Sequence, residues 1–317
     1  GGQTIDFRVS TFPTNSGEKV VMRVLDSSSV ILEFQELGLI GPNKKKIEDA
    51  IDEPFGMIIV SGPTGSGKTT TLYTAMSKIN KEGINIVSLE DPVEYHIEGV
   101  SQSQVRPEID YTFASGLRSI LRQDPDVIMV GEIRDGETAQ LGVQSALTGH
   151  LVFTTVHTNN AIGVIPRLVD LGVSDFLIPS SVTIAMAQRL VGRLCSSCKF
   201  QKDPRGRIVE IIESELSKLP PEVLQKFEVQ KPYQIWDAKG CPKCNGKKTK
   251  GRMGIYEILK MTPELKRIIL EEEANAIAIE SEARRQGMIN MKQDGIIKSL
   301  LGYMAIEDVL RVVEESV

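Results

Sequence analysis

A chain of 317 residues, 41% hydrophobic and 25% charged, has room for two or three small domains around at least one sizeable core. A formal net charge of -5 and a pI near 5.5 exclude a general attraction to polyphosphate, which argues against nucleic acid as a partner and leaves only a local basic channel open. No stretch approaches the roughly 20 apolar residues that span a bilayer, and no signal peptide opens the chain, so a soluble protein that meets membranes through partners is expected.

From the start, residues 4 to 25 alternate apolar and polar (Ile5, Phe7, Val9, then Val20, Met22, Val24) around Pro13, Asn15, Ser16 and Gly17. That pattern predicts two antiparallel strands and a turn. Two strands are no stable domain, so they either pack on the downstream chain or are the remnant of a larger amino-terminal domain. Gly1, Gly2, Gln3 and Thr4 run straight into the strand pattern, as if an upstream portion were missing. Residues 27 to 54 read as a linker and a polar helix carrying Lys44 to Lys46.

From Met57 the pattern changes to short apolar runs separated by helix-length segments. The runs at 57–60, 84–87, 127–130 and 151–154 are the strand candidates. Runs buried on both faces and alternating with helices predict a parallel α/β sheet. Directly after the first run, Gly62, Pro63, Thr64, Gly65, Ser66, Gly67, Lys68 and Thr69 match the P-loop pattern, with a helical stretch from Thr70. Glycines let backbone N–H groups turn onto phosphate oxygens, and the helix start adds the positive end of its dipole. Lys68 is expected on the β- and γ-phosphates of ATP and the Thr69 hydroxyl on Mg2+.

Hydrolysis also needs a carboxylate to orient water. Two acidic clusters follow strand runs: Glu90, Asp91 and Glu94, then Glu132 and Asp135. Ligands of open α/β sheets sit at the carboxyl ends of strands, where both clusters would lie. Gly131 stands where a magnesium-holding Asp usually ends the strand. Glu132 beside it is a candidate for activating water or orienting Mg2+, against the alternative of a surface carboxylate, and Glu90 and Glu94 are further catalytic candidates. Two of the three histidines bracket one strand, His150 before it and His157 after it, which suggests a γ-phosphate sensor rather than a general base, against the alternative of ordinary core or surface histidines.

The four cysteines form two pairs, Cys195/Cys198 and Cys241/Cys244, separated by 42 residues. Two such pairs complete a tetrahedral Zn2+ site, with redox chemistry or coincidence as the alternatives. The stretch between the pairs is polar and rich in Glu and Lys. From about Gly251 the periodicity of Leu265, Ile268, Ile269, Ile296, Leu300, Val309 and Val312 predicts mostly helix.

Together with the P-loop, the stretches 87–95 (through Glu90, Pro92 and Tyr95), 117–126 (Leu117 to Asp126), Gly131-Glu132, 148–152 around His150 and 157–159 from His157 resemble the secretion ATPases of type II secretion and type IV pilus systems. The resemblance covers essentially the whole chain. It implies an α/β, RecA-like P-loop NTPase core (35–194) with a partial, PAS-like α+β amino-terminal domain and linker (1–34), a four-cysteine zinc subdomain (195–248) and a helical carboxy-terminal subdomain (249–317). It also implies a hexameric ring whose amino-terminal domain, hinged to the ATPase domain, brings arginines to the nucleotide on closure. The matching positions are Arg8 and Arg23, with Arg118, Arg122 and Arg134 as further candidates.

Members that drive assembly or export commonly carry the four cysteines and retraction members lack them, so the resemblance favours export or pilus extension. Implied partners are an inner-membrane platform protein and the cytoplasmic part of a membrane-anchored assembly protein. The implied location is cytoplasmic, peripheral to the inner membrane. The rival readings are a RecA-like DNA translocase or DNA-uptake motor, and a nucleotide-gated scaffold with negligible turnover.

Overall fold

The structure is a computed structural model that describes residues 6–25, 32–227, 229, 231–271 and 275–314. Strands β1 (Asp6–Thr14) and β2 (Gly17–Leu25) pair antiparallel, with Thr14 opposite Gly17 and Asp6 opposite Leu25. The two-residue turn is closed by Gly17 at φ 117° and by the Thr14 hydroxyl, which donates to the Gly17 carbonyl at 2.7 Å. Phe7, Phe12 and Met22 stay exposed, so among its described side chains this hairpin has backbone bonds but no core of its own. Ile5 and most of the linker lie outside the described residues.

The central sheet is built from β3 (Gly56–Ser61), β4 (Ile86–Glu90), β5 (Val100–Gln104), β6 (Val127–Val130), β7 (Leu151–Val156), β8 (Val182–Leu194) and, after the small hairpin of β9 (Lys199–Lys202) and β10 (Ile235–Ala238), β11 (Thr249–Lys260). Its order is β11-β8-β3-β7-β6-β4-β5. All neighbours run parallel except β11, which lies antiparallel on β8 and makes the sheet mixed. Residues 249–260, expected at the start of a helical segment, are therefore a sheet strand. The 84–87 run begins pairing two residues later than expected.

Every residue of β3 is buried, which is what a strand covered on both faces requires. Ile58 and Val60 meet Leu72, Tyr73 and Met76 of helix Lys68–Ile79 and Ile47 of helix Gly41–Ile51. Met57 and Ile59 belong to the opposite core with Leu117 of helix Phe113–Ile120, Val143 of helix Gly136–Leu147 and Leu168 of helix Val164–Asp170. Burying each such side chain contributes roughly 1.5–3 kcal/mol. The parallel strands all end at one edge, so the turns after β3, β4, β6 and β7 gather there.

A third apolar cluster joins Ile212 and Leu216 of helix Arg207–Leu216, between the cysteine pairs, to Ile296 and Ile297 of helix Met291–Leu300. That last helix is fixed to β11 by a wholly buried ion pair between Asp294 and Lys298. Asp294 Oδ2 accepts the Tyr256 N–H at 2.8 Å, and Lys298 Nζ donates to the Gly254 carbonyl at 2.7 Å, 4.9 Å from the Tyr256 ring centre. Burial pushes the Asp294 carboxyl up and the Lys298 ammonium down, and each partner's charge opposes the other's shift.

Candidate functional site

The loop after β3 turns back on itself at Gly62 (φ 144°), Gly65 and Gly67 (φ 90°), and helix Lys68–Ile79 starts at once. Gly62 and Gly67 are required twice over. Their φ values disfavour a side chain, and a Cβ on Gly62 would lie 2.7 Å from the Gln188 carbonyl and from Ser66 Oγ, while one on Gly67 would lie 3.1 Å from Gln188 Nε2. Gln188 of β8 pins the loop from beneath by donating to the Ser66 carbonyl at 2.7 Å. Pro63, Thr64 and Gly65 form the exposed tip; Thr69 and Thr70 are half-buried on the first turn of the helix.

Lys68 Nζ donates to the Gly62 and Pro63 carbonyls at 2.8 and 3.2 Å. Burial pushes its pKa below the ordinary lysine value; Glu132 pulls it back up and Arg189 pushes it further down. The loop fits a nucleotide's phosphates. Its glycines keep the backbone bare, the helix start faces it, and Ser66 Oγ is buried with no hydrogen-bond partner among the described residues.

Glu132, just past β6, is the carboxylate whose charge acts on Lys68. One oxygen pairs with Arg134 Nη2 at 2.6 Å and the other lies 3.4 Å from His157 Nε2, just past β7. Gly131 before it has the Glu90 backbone against it, 3.3 Å from where a Cβ would stand, and its carbonyl accepts the Thr155 hydroxyl at 2.7 Å. An Asp there would meet that backbone.

Glu90, at the end of β4, is buried, and both its oxygens are engaged. Ser88 Oγ donates at 2.6 Å, Gln102 Nε2 at 3.1 Å, and the Tyr73 hydroxyl donates to the other oxygen. Burial first, and Glu90 second, hold the Tyr73 phenol above its ordinary pKa. Glu94 is exposed; only its N–H reaches this group, 3.4 Å from the Tyr73 hydroxyl.

The two flanking histidines separate. β7 runs between them for six residues, about 20 Å of extended chain, so His150 stands at the opposite sheet edge, not beside the phosphate loop. There its Nδ1 lies 2.9 Å from the Ser145 carbonyl. Of the pair, His157 alone is at the site edge. Arg8 and Arg23 face each other across the β1–β2 ladder, and their side chains lie outside the described residues. Arg118 pairs with Glu137, and Arg122 bonds the Arg118 carbonyl at 2.9 Å.

The cysteines come together away from this edge. Cys195 and Cys241 sulfurs are 3.8 Å apart, Cys198 and Cys244 3.9 Å, Cys241 and Cys244 3.8 Å, and all four lie within 4.8 Å of one another. Disulfides need about 2.0 Å. Four sulfurs around zinc at about 2.3 Å have tetrahedral edges of about 3.8 Å, so the cluster fits Zn2+ and leaves no position for water. The Cys241 N–H, 3.2 Å from Cys244 Sγ, is the first cause that lowers the Cys244 thiol to about 7. Lys199, over the Trp236 ring at 4.5 Å, donates to the Gly302 carbonyl at 2.8 Å and ties the cysteine lobe to the carboxy-terminal helices.

Motif reading passes over Gln188 and Arg189. Both are buried polar residues in the apolar strand β8 next to the loop, and a Gln-Arg pair inside such a run is the available signal.

The sequence pattern that defines Type II/IV secretion system proteins matches residues 1–311. Type II secretion system protein E of Aeromonas hydrophila is 47% identical over 315 residues, 99% of this chain and 60% of its own length. Type IV pilus assembly ATPase PilB of Acinetobacter baylyi is 45% identical over 315 residues, 99% of this chain and 52% of its own. The chain thus spans about three fifths of the one and half of the other. Among solved structures, the pilus retraction motor PilT with bound ADP superposes with a TM-score of 0.67 at 28% identity, over 96% of this chain and 73% of that one. The Legionella pneumophila ATPase DotB, at 0.68 and 22% identity over 98% and 74%, shares the fold. No described helix is long and apolar enough to cross a membrane. By a match over nearly its full length and identities of 45 to 47% to named members, the chain belongs to the type II/IV secretion system protein family.

Proposed function

We propose that this chain is the ATP-hydrolysing motor portion of a type II secretion or type IV pilus assembly machine. One observation carries the reading: at the sheet edge where the glycine loop lies, Lys68, Glu132 and His157 converge from three different strand ends. Loop N–H groups and Lys68 bind the β- and γ-phosphates of ATP. Glu132 lies near Lys68 and has an ionic partner, Arg134, that is itself exposed, which suits it to orient the attacking water. Glu90 orders the edge from beneath through Tyr73. The Thr69 hydroxyl would hold Mg2+, which would supply charge neutralisation at the phosphates.

His157 senses the γ-phosphate. Arg8 and Arg23 complete the charge set when the amino-terminal strands close on the loop, within a homo-hexamer. The cysteine lobe is a structural Zn2+ site, as suits an assembly or export motor. The ring works at the cytoplasmic side of the inner membrane against a platform protein and a membrane-anchored assembly protein. The relatives' names, type II secretion system protein E and type IV pilus assembly ATPase PilB, support the secretion and pilus setting of this reading.

Glu132→Gln is the deciding variant. Phosphate release should fall by about 100-fold or more, with ATP affinity within about threefold of wild type. Equal turnover in the two proteins would remove Glu132 from the chemistry, and no turnover in either would remove the ATPase reading.

A further inference from the structure

Arg189 is a guanidinium only 5% exposed, one residue past the Gln188 that pins the phosphate loop. Its Nη1 donates to the Gln188 carbonyl at 2.9 Å, and its Nη2 donates at 3.0 Å to the carbonyl of Asn159, two residues beyond His157. A Cβ on Gly62 would lie 3.2 Å from Nη1, so the guanidinium lies against the first residue of the loop. Arg189 therefore touches the phosphate loop with one end and the histidine-bearing loop with the other.

Among the described residues, one counter-charge to Arg189 is on β11. The β8–β11 register sets Arg189 opposite Ile255 and Ala187 opposite Glu257, which makes Arg189 and Glu257 diagonal neighbours on one face of the sheet. Glu257 is itself buried. Its Oε1 accepts the Ala161 N–H at 2.6 Å and its Oε2 accepts the Met291 N–H at 3.3 Å, at the first residue of helix Met291–Leu300. Burial raises the Glu257 pKa and burial lowers that of Arg189; in each case the other's charge opposes the shift.

Apolar residues of like volume would hold β8 to β11 as well as a buried pair of charges does. They could not bond the Asn159 carbonyl and the Ala161 N–H, which lie on either side of the bend in loop 157–163. That double grip is specific to the charges, and it acts on the loop that carries His157.

We propose that Arg189, braced by Glu257, is a positioning residue: it fixes loop 157–163, and with it His157, against the phosphate loop, and it couples this arrangement to helix Met291–Leu300. This role deepens the ATPase reading and rests on it. A misplacement of about 1 Å in such a site lowers turnover by about 100-fold even when the displaced residue is remote from the chemistry.

The test compares phosphate release, binding of a fluorescent ATP analogue and the thermal midpoint in wild type, Arg189→Gln, Arg189→Lys, Glu257→Gln and the double variant R189Q/E257Q. Arg189→Gln should lower kcat by about tenfold or more with nucleotide Kd within about threefold, since the loop glycines and Lys68 remain. Arg189→Lys keeps the charge but reaches one carbonyl, and its kcat should fall between the two. The double variant removes both charges of the described pair together, so its midpoint should recover relative to the single variants while kcat does not.

Wild-type kcat in Arg189→Gln, or recovery of kcat together with the midpoint in the double variant, would reduce the pair to a structural part and overturn the proposal. Should Arg189→Gln not fold, Arg189→Lys and the double variant decide by the same criterion. A wild type without phosphate release would sink the ATPase reading instead. Hydrogen exchange of the 157–163 amides then decides the positioning claim: faster exchange in Arg189→Lys supports it, and unchanged exchange ends it.

Discussion

Lys68 holds a position where two carbonyls and one nearby carboxylate face a cation that burial disfavours. Lys68→Ala removes that cation and leaves only backbone donors, so ATP affinity should drop by about 10- to 100-fold, the worth of a charge-assisted bond. Titration of a fluorescent ATP analogue measures it, with circular dichroism to verify the fold; unchanged affinity would move the nucleotide elsewhere. The loop is legible in the sequence because its parts act on near neighbours: Gly62 and Gly67 set their own φ, and Lys68 folds back onto Gly62 and Pro63. Glu90 and Glu132 look alike in the sequence, each an acid after an apolar run. They differ through residues elsewhere along the chain: Tyr73 and Gln102 occupy Glu90, whereas His157 lies beside Glu132 and the Glu132 charge acts on Lys68. Arg189 is illegible for the same reason. Its meaning lies in Asn159, 30 residues away, and in Glu257 across a strand pair.

Among the elements, the short buried strands follow from their apolar runs, and β8 and β11 do not. β8 carries Gln188 and Arg189 inside it, and β11 opens with Thr249, Lys250, Gly251 and Arg252, so neither keeps the pattern of a buried strand. What holds β11 in place includes helix Gly41–Ile51. Lys46 Nζ donates to the Ile258 carbonyl at 3.0 Å, and burial lowers its pKa to about 8. The folded pKa is thus below the ordinary lysine value of about 10.4. Between the two, the unfolded chain binds more protons than the folded one, so stability rises with pH across that window; below about 8 the full penalty is present. Urea midpoints measured from pH 7 to 10.5 should climb for wild type and climb less for Lys46→Met. Parallel curves would show that Lys46 titrates as an ordinary lysine.

On the scale of the molecule, the cysteine lobe is tied in at several places rather than appended. Leu194 and Ala238 pack with Ala305, the Leu194 N–H donates to the Tyr303 carbonyl at 2.8 Å, and Trp236 Nε1 donates to the Leu300 carbonyl at 3.3 Å. Purified protein should hold about one zinc per chain, and its removal by a chelator should lower the thermal midpoint and open 195–248 to protease, since metal affinity is folding free energy in such lobes. Atomic absorption showing no zinc, or proteolysis indifferent to the chelator, would refute this. The buried pair of Asp294 and Lys298 sets a different kind of limit, on how the sequence can drift. Losing either partner alone strands a charge at a cost of about 3–5 kcal/mol, a large share of the stability that keeps a domain folded. Losing both at once still leaves the Tyr256 N–H and the Gly254 carbonyl without their partners. A substitution that removes one charge at 294 or 298 is therefore tolerable only with a second change beside it, and the two positions act as one unit of the sequence.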